Sequence, residues 1–114
     1  MNIRDVDGVA VLELVGRVTL GASVNAFRES LSLLHERGQQ KIVLVLTQAT
    51  FIDSAGLGVI VDGYNQSVAA GGTLKLVQPS TQVLRVLAVA GLDRVLQSYV
   101  YERDAISSFQ EGIV

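Results

Sequence analysis

The run Lys41-Ile-Val-Leu-Val-Leu46 most narrows what this chain can fold into. Residues 42–46 are aliphatic without interruption, and Ile42, Val43 and Val45 are β-branched. The run is too short for a helix of ordinary length and reads as a strand. Successive strand side chains point to opposite faces, so this strand needs cover on both. Parallel sheets flanked by helices provide that cover. An α/β architecture is the expectation.

The flanking segments agree. Ile3–Val6 and Val9–Val15 are β-rich runs separated by Asp7-Gly8, a two-residue hairpin turn. Val24, Phe27, Leu31 and Leu34 recur at helical spacing, with Arg28, Glu29, Ser32 and Glu36 facing outward and Gly38 closing the helix. The central strand is expected to end near Leu46 and reach Asp53-Ser54 by a brief connection. A helix follows, with Leu57, Ile60, Val61, Tyr64 and Val68 at helical spacing, closed by Gly71-Gly72. Thr73–Val77 is the next strand. Pro79-Ser80 opens a helix with Val83, Leu84, Leu87 and Ala90 inward and Gly91 as its stop. A short strand over Val95–Ser98 and a helix over Glu102–Gln110 complete the order β-β-α-β-α-β-α-β-α. Residues 1–114 are expected to form one domain with a mixed sheet of five strands and four helices, parallel after the first hairpin.

Composition narrows the function. Nine basic residues against eleven acidic ones give a net charge of −2, without the basic excess of a nucleic-acid-binding surface. Three Tyr, three Phe and no Trp leave little for stacking bases. The absence of cysteine and the single histidine exclude disulfides and argue against a structural metal site. No secretory leader and no run approaching the ~20 apolar residues of a membrane span are visible. The expectation is a soluble cytoplasmic protein without cofactor or metal, not inserted in a membrane.

Phe51-Ile-Asp-Ser-Ala-Gly-Leu-Gly58 lies where a buried strand feeds a helix, the edge at which α/β sheets gather their sites. Asp53 or Ser54 is the helix N-cap. Gly56-Leu57-Gly58 is half of a dinucleotide fingerprint, but its third glycine falls on Val61, and the following strand ends at Val77-Gln78-Pro79 without a ribose-binding acid. A hydrolase nucleophile elbow fails too: Ile52 replaces its first glycine, and His35 precedes Ser54. With no acid–base–nucleophile set, no catalytic residue is assigned. Two readings stay open on local grounds. Ser54 caps the helix while the glycines allow close helix–sheet packing, or Ser54 is a modification site at the positive end of a helix dipole.

The segment Phe51-Ile-Asp-Ser-Ala-Gly-Leu-Gly-Val-Ile60 resembles the signature of the STAS domain family, the anti-sigma factor antagonists. Val11-Leu-Glu-Leu-Val-Gly-Arg-Val18, Gly71-Gly-Thr-Leu-Lys-Leu-Val77 and Ala90-Gly-Leu-Asp93 resemble further parts of it. In that family the serine after the aspartate is phosphorylated, which implies Ser54 here. The resemblance implies a partner, a serine-kinase anti-sigma factor of the GHKL ATPase type. The unphosphorylated antagonist binds it and releases a sigma factor. Phosphorylation switches the antagonist off, and a metal-dependent phosphatase resets it. The implied partner-binding residues are Arg17, Thr19, Phe51, Asp53, Ser54, Ala55, Gly56, Leu57 and Gly58. Most close relatives carry acids at the positions of Thr19 and Thr47, while Arg17 adds a positive charge nearby. Two other roles are kept. One is a constitutive STAS subunit of a lipid-transport ABC complex or a stress-signalling scaffold. The other is a small-ligand or nucleotide-binding domain.

Overall fold

The computed structural model describes residues 1–110. Its elements are β1 (Asn2–Val6), β2 (Val9–Val18), α1 (Ala22–Glu36), β3 (Lys41–Ile52), α2 (Ser54–Ala69), β4 (Thr73–Val77), α3 (Thr81–Val89), β5 (Ser98–Tyr99) and α4 (Glu102–Gln110). The single sheet has the sequential order β1-β2-β3-β4-β5. β1 runs antiparallel to β2, and every later neighbour is parallel. This is the expected mixed α/β sheet. At the hairpin, Asp7 and Gly8 have φ of 54° and 82°, the paired left-handed residues of a type I′ turn.

The run at 42–46 is covered on both faces. Ile42, Leu44 and Leu46 join Leu12, Leu14, Phe27, Leu31, Leu74 and Leu87 in the larger core, beneath α1, α2 and α3. Val43 and Val45 face the other way and pack with Val9, Val11, Ala105, Ile106 and Phe109 beneath α4. The second layer also buries the Lys75 ammonium. Its Nζ donates to Ser108 Oγ at 2.5 Å and lies 4.4 Å from the centre of the Phe109 ring.

Four local expectations are corrected. β3 does not stop near Leu46; it continues to Ile52. Residues 48–52 pair with Val15–Val18 across two register shifts, so the extended β2 carries β3 onward. Of β3, only Lys41–Val45 pairs with β4. The overhang is therefore half-covered, which accounts for exposed Thr47, Gln48 and Thr50 alternating with buried Ala49 and Ile52.

On α2, the buried face overlaps the expected stripe without coinciding with it: Leu57 and Tyr64 rest half-buried on the core. Only Ile60 of the stripe is fully buried, and Val68 is 45% exposed. The buried line is Gly56, Val59, Ile60, Gly63 and Ser67. A Cβ at Gly56 would lie 2.8 Å from both Ile52 Cγ2 and Val18 O, and one at Gly63 would lie 2.8 Å from Leu31 Cδ1. The helix sits too close to its neighbours for large side chains, so small residues mark its inner face. Ser67 Oγ lies 2.9 Å from His35 Nε2, joining α1 to α2.

On α3, Val83 and Leu87 are buried as expected, but Leu84 and Ala90 are exposed, because a helix of nine residues presents only one narrow seam to the sheet. Finally, Val95 lies in a turn whose N–H donates to Leu92 O at 3.0 Å, and β5 is confined to Ser98–Tyr99 opposite Leu76 and Val77.

Gly56 and Gly58 separate close packing from helix propensity within one turn. A Cβ at Gly58 meets nothing within 4 Å. Gly56→Ala is expected to lower unfolding free energy by about 1–3 kcal/mol through overpacking. Gly58→Ala is expected to raise it by roughly 0.5–1 kcal/mol, the usual gain over glycine inside a helix. Urea midpoints of the two variants check both signs.

Candidate functional site

The site is assembled from three segments: the β2–α1 loop, the end of β3 and the start of α2. Asp53 joins them. It is the N-cap of α2, in extended backbone at φ −90° and ψ −176°. Its Oδ1 accepts from the Gly56 N–H at 2.9 Å, satisfying one of the unpaired donors of a helix start. Its Oδ2 accepts from the Leu20 N–H at 2.9 Å, across to the β2–α1 loop. The Asp53 N–H donates to Val18 O at 3.3 Å. One carboxylate thus holds loop and helix in fixed relation. The hydrogen bonds from Gly56 and then Leu20 stabilise the ionised form and lower the carboxyl pKa.

The loop has its own closure. The Thr19 N–H donates to Ser23 Oγ at 2.9 Å, and that hydroxyl donates back to Thr19 O at 3.0 Å. At the end of β3, beyond the reach of β4, Gln82 of α3 completes the pairing. The Ile52 N–H donates to Gln82 Oε1 at 3.1 Å, and Gln82 Nε2 donates to Ile52 O at 3.0 Å. The side-chain amide substitutes for a missing strand neighbour.

Ser54, not the cap itself, is the first residue of α2, and it is exposed. Arg17 is exposed with its guanidinium 4.7 Å from the centre of the half-buried Phe51 ring, within cation–π range. Thr19, Ala55 and Leu57 are half-buried, and Ala55 and Leu57 rest on the core. Gly58 is exposed. Gly56 is buried against Val18 and Ile52, so among the expected contact residues it supports the edge from beneath.

Three residues at this edge were not expected from sequence. Gln82 holds Ile52 as described. Leu20 is 81% exposed in the loop, and Val89 is 86% exposed on α3. An isolated apolar residue ahead of a helix start was a signal available for Leu20. Nothing local distinguishes Gln82 from any exposed glutamine of a helix. Among the described residues, no group of three or more His, Cys, Asp or Glu is placed to hold a metal ion, and no helix is long and apolar enough to cross a membrane.

A small α/β module with a mixed five-stranded sheet displays a hydroxyl at a pinned helix start. The chain belongs to the STAS domain family, which it matches over residues 1–105. It is 40% identical over 77 residues to a Thermotoga maritima protein provisionally named an anti-sigma factor antagonist; the match covers 68% of this chain and 65% of that one. It is 28% identical over 103 residues to the anti-sigma F factor antagonist of Paenibacillus polymyxa, covering 90% and 88%. The crystal structure of TM1081 from Thermotoga maritima superposes with a TM-score of 0.89 at 30% identity, covering 96% of this chain and 93% of that one. The chain spans just under two thirds of the length of the Thermotoga neapolitana and Thermotoga maritima relatives, 66% and 65%.

Asp53→Ala is expected to release both segments it holds. Amide exchange should accelerate at Leu20 and Gly56, measured by NMR, while the β4 amides keep their protection. The lowered pKa also sets a sign. The stability contributed by the ionised carboxylate is fully present above the ordinary aspartate pKa and is lost as pH falls through the lower folded-state value. Acid titration of unfolding should therefore be shallower in Asp53→Ala than in the parent over that acidic window.

Proposed function

We propose that this chain is an anti-sigma factor antagonist switched by phosphorylation of Ser54. In this reading it binds a serine-kinase anti-sigma factor of the GHKL ATPase type and so releases a sigma factor. The kinase, with ATP, phosphorylates Ser54 and ends binding, and a metal-dependent phosphatase restores it. The observation that carries this is the exposed serine on the first turn of α2, beside an aspartate whose carboxylate is already engaged by backbone N–H groups. The names of the Paenibacillus polymyxa and Thermotoga maritima relatives support it.

The physical chemistry suits a switch at the surface. Phosphate adds about −1.5 to −2 charge. Placed at a helix N-terminus, that charge is favoured by about 0.3–1 kcal/mol, so the domain stays folded. Its effect falls on whatever docks there. Desolvating a dianion against an apolar or acidic surface costs several kcal/mol, and about 1.4 kcal/mol is tenfold in affinity. A loss of roughly a hundred- to thousandfold follows.

Incubation with its kinase and ATP is expected to place one phosphate on Ser54, located by mass spectrometry. Ser54→Ala should keep parent-like kinase affinity by calorimetry. Ser54→Asp, with less charge than phosphate, should weaken it by at least about tenfold. A chain left unmodified by a kinase that it binds would defeat the switch.

A further inference from the structure

The charges around Ser54 are few and mostly of one sign. Across residues 17–21, 50–58 and 80–90, which form the loop, the β3 end with the α2 start, and α3, the charged side chains are Arg17, Asp53 and Arg85. Asp53 is turned into backbone N–H groups by both oxygens. Arg17 and Arg85 are exposed. The Arg17 guanidinium carbon lies 4.7 Å from the centre of the Phe51 ring, within cation–π range. Arg85 borders an open groove of about 330 Å³ with Leu57, Val86, Val89 and Ala90. Leu57, which lines the groove, lies one turn along α2 from Ser54, and Gln82, one turn before Arg85, is hydrogen-bonded to Ile52. The next acid on α2, Asp62, lies eight residues beyond Ser54 and lines a different cavity with Arg28 and His35.

We propose that this edge selects a partner whose contact surface is acidic around an apolar centre. Carboxylates of that partner engage Arg17 and Arg85, and an apolar side chain enters the groove beside Val89. The inference rests on the anti-sigma factor antagonist reading and adds the polarity of its partner. The contact with Phe51 anchors Arg17 at this edge, and the fork geometry of a guanidinium suits a carboxylate. Complementary charge mainly sets encounter rate and partner choice. It also gives phosphorylation a second effect. The dianion reverses the sign of a locally cationic surface and repels the same carboxylates, in addition to its desolvation cost.

The test is calorimetry of the full chain with the serine-kinase anti-sigma factor that binds it, at low and at high sodium chloride. The parent is expected to weaken as salt rises. R17E/R85E should bind roughly a hundredfold or more weaker, with R17Q/R85Q between it and the parent. K41E, at the far end of β3, should bind like the parent. Thermal melts of each variant confirm folding. A parent that binds no kinase overturns the functional reading and the inference with it. A parent that binds while a folded R17E/R85E binds equally well overturns only the acidic-partner inference, as does affinity that rises with salt.

Discussion

The double acceptance by Asp53 is the interaction on which the rest of the edge depends. Its oxygens face segments 33 residues and three residues away in sequence, at Leu20 and Gly56. The loop after β2 and the first turn of α2 have no other direct hydrogen bond of this kind between them among those described. With that carboxylate in place, Arg17, Phe51 and Ser54 share one surface. The anion position nearest the helix start is already filled by Asp53.

Depth of packing supplies the other half of the arrangement. α2 descends until Gly56 meets Val18 O and Ile52, and Gly63 meets Leu31. Close approach brings Ser54 and Leu57 to the level of the β3 terminus. The Gln82 amide then satisfies the strand edge that β4 leaves open. An unpaired backbone N–H or C=O there would cost about 1–3 kcal/mol if buried. Pairing it by α3 also fixes α3 beside α2, which creates the groove bordered by Arg85.

Much of this was legible in the residues, and the failures have definite causes. The run at 42–46, the Asp7-Gly8 turn, the α1 stripe and the Ser80 cap act through local rules, and each stands where those rules put it. Asp53 and Ser54 were legible as cap and first helical residue only as a pair, since both types suit a cap. The inner face of α2 is only partly legible, because hydrophobicity alone does not mark burial there. At close approach, size decides: Gly56, Gly63 and Ser67 are buried while Leu57 stays half-buried and Val68 is exposed. The continuation of β3 was hidden by Thr47, Gln48 and Thr50, which look like a loop until β2 is known to run beside them. Gln82 could not be found at all, because its role depends on where another strand happens to stop.

The separation of body from edge explains how charge could regulate binding without a conformational change. Two apolar layers hold the sheet from both sides, and neither reaches Arg17, Ser54 or Arg85. The chain carries a net charge of −2, opposite in sign to the surface around Ser54. At physiological ionic strength the screening length is about 8 Å. Distant acids therefore contribute little at contact, and the two arginines dominate what an arriving surface feels. A group of about −1.5 to −2 charge added at Ser54 offsets most or all of their combined charge while adding little to the field elsewhere. Discrimination between the two states then resides in short-range electrostatics at one edge, and the scaffold has only to keep that edge in place.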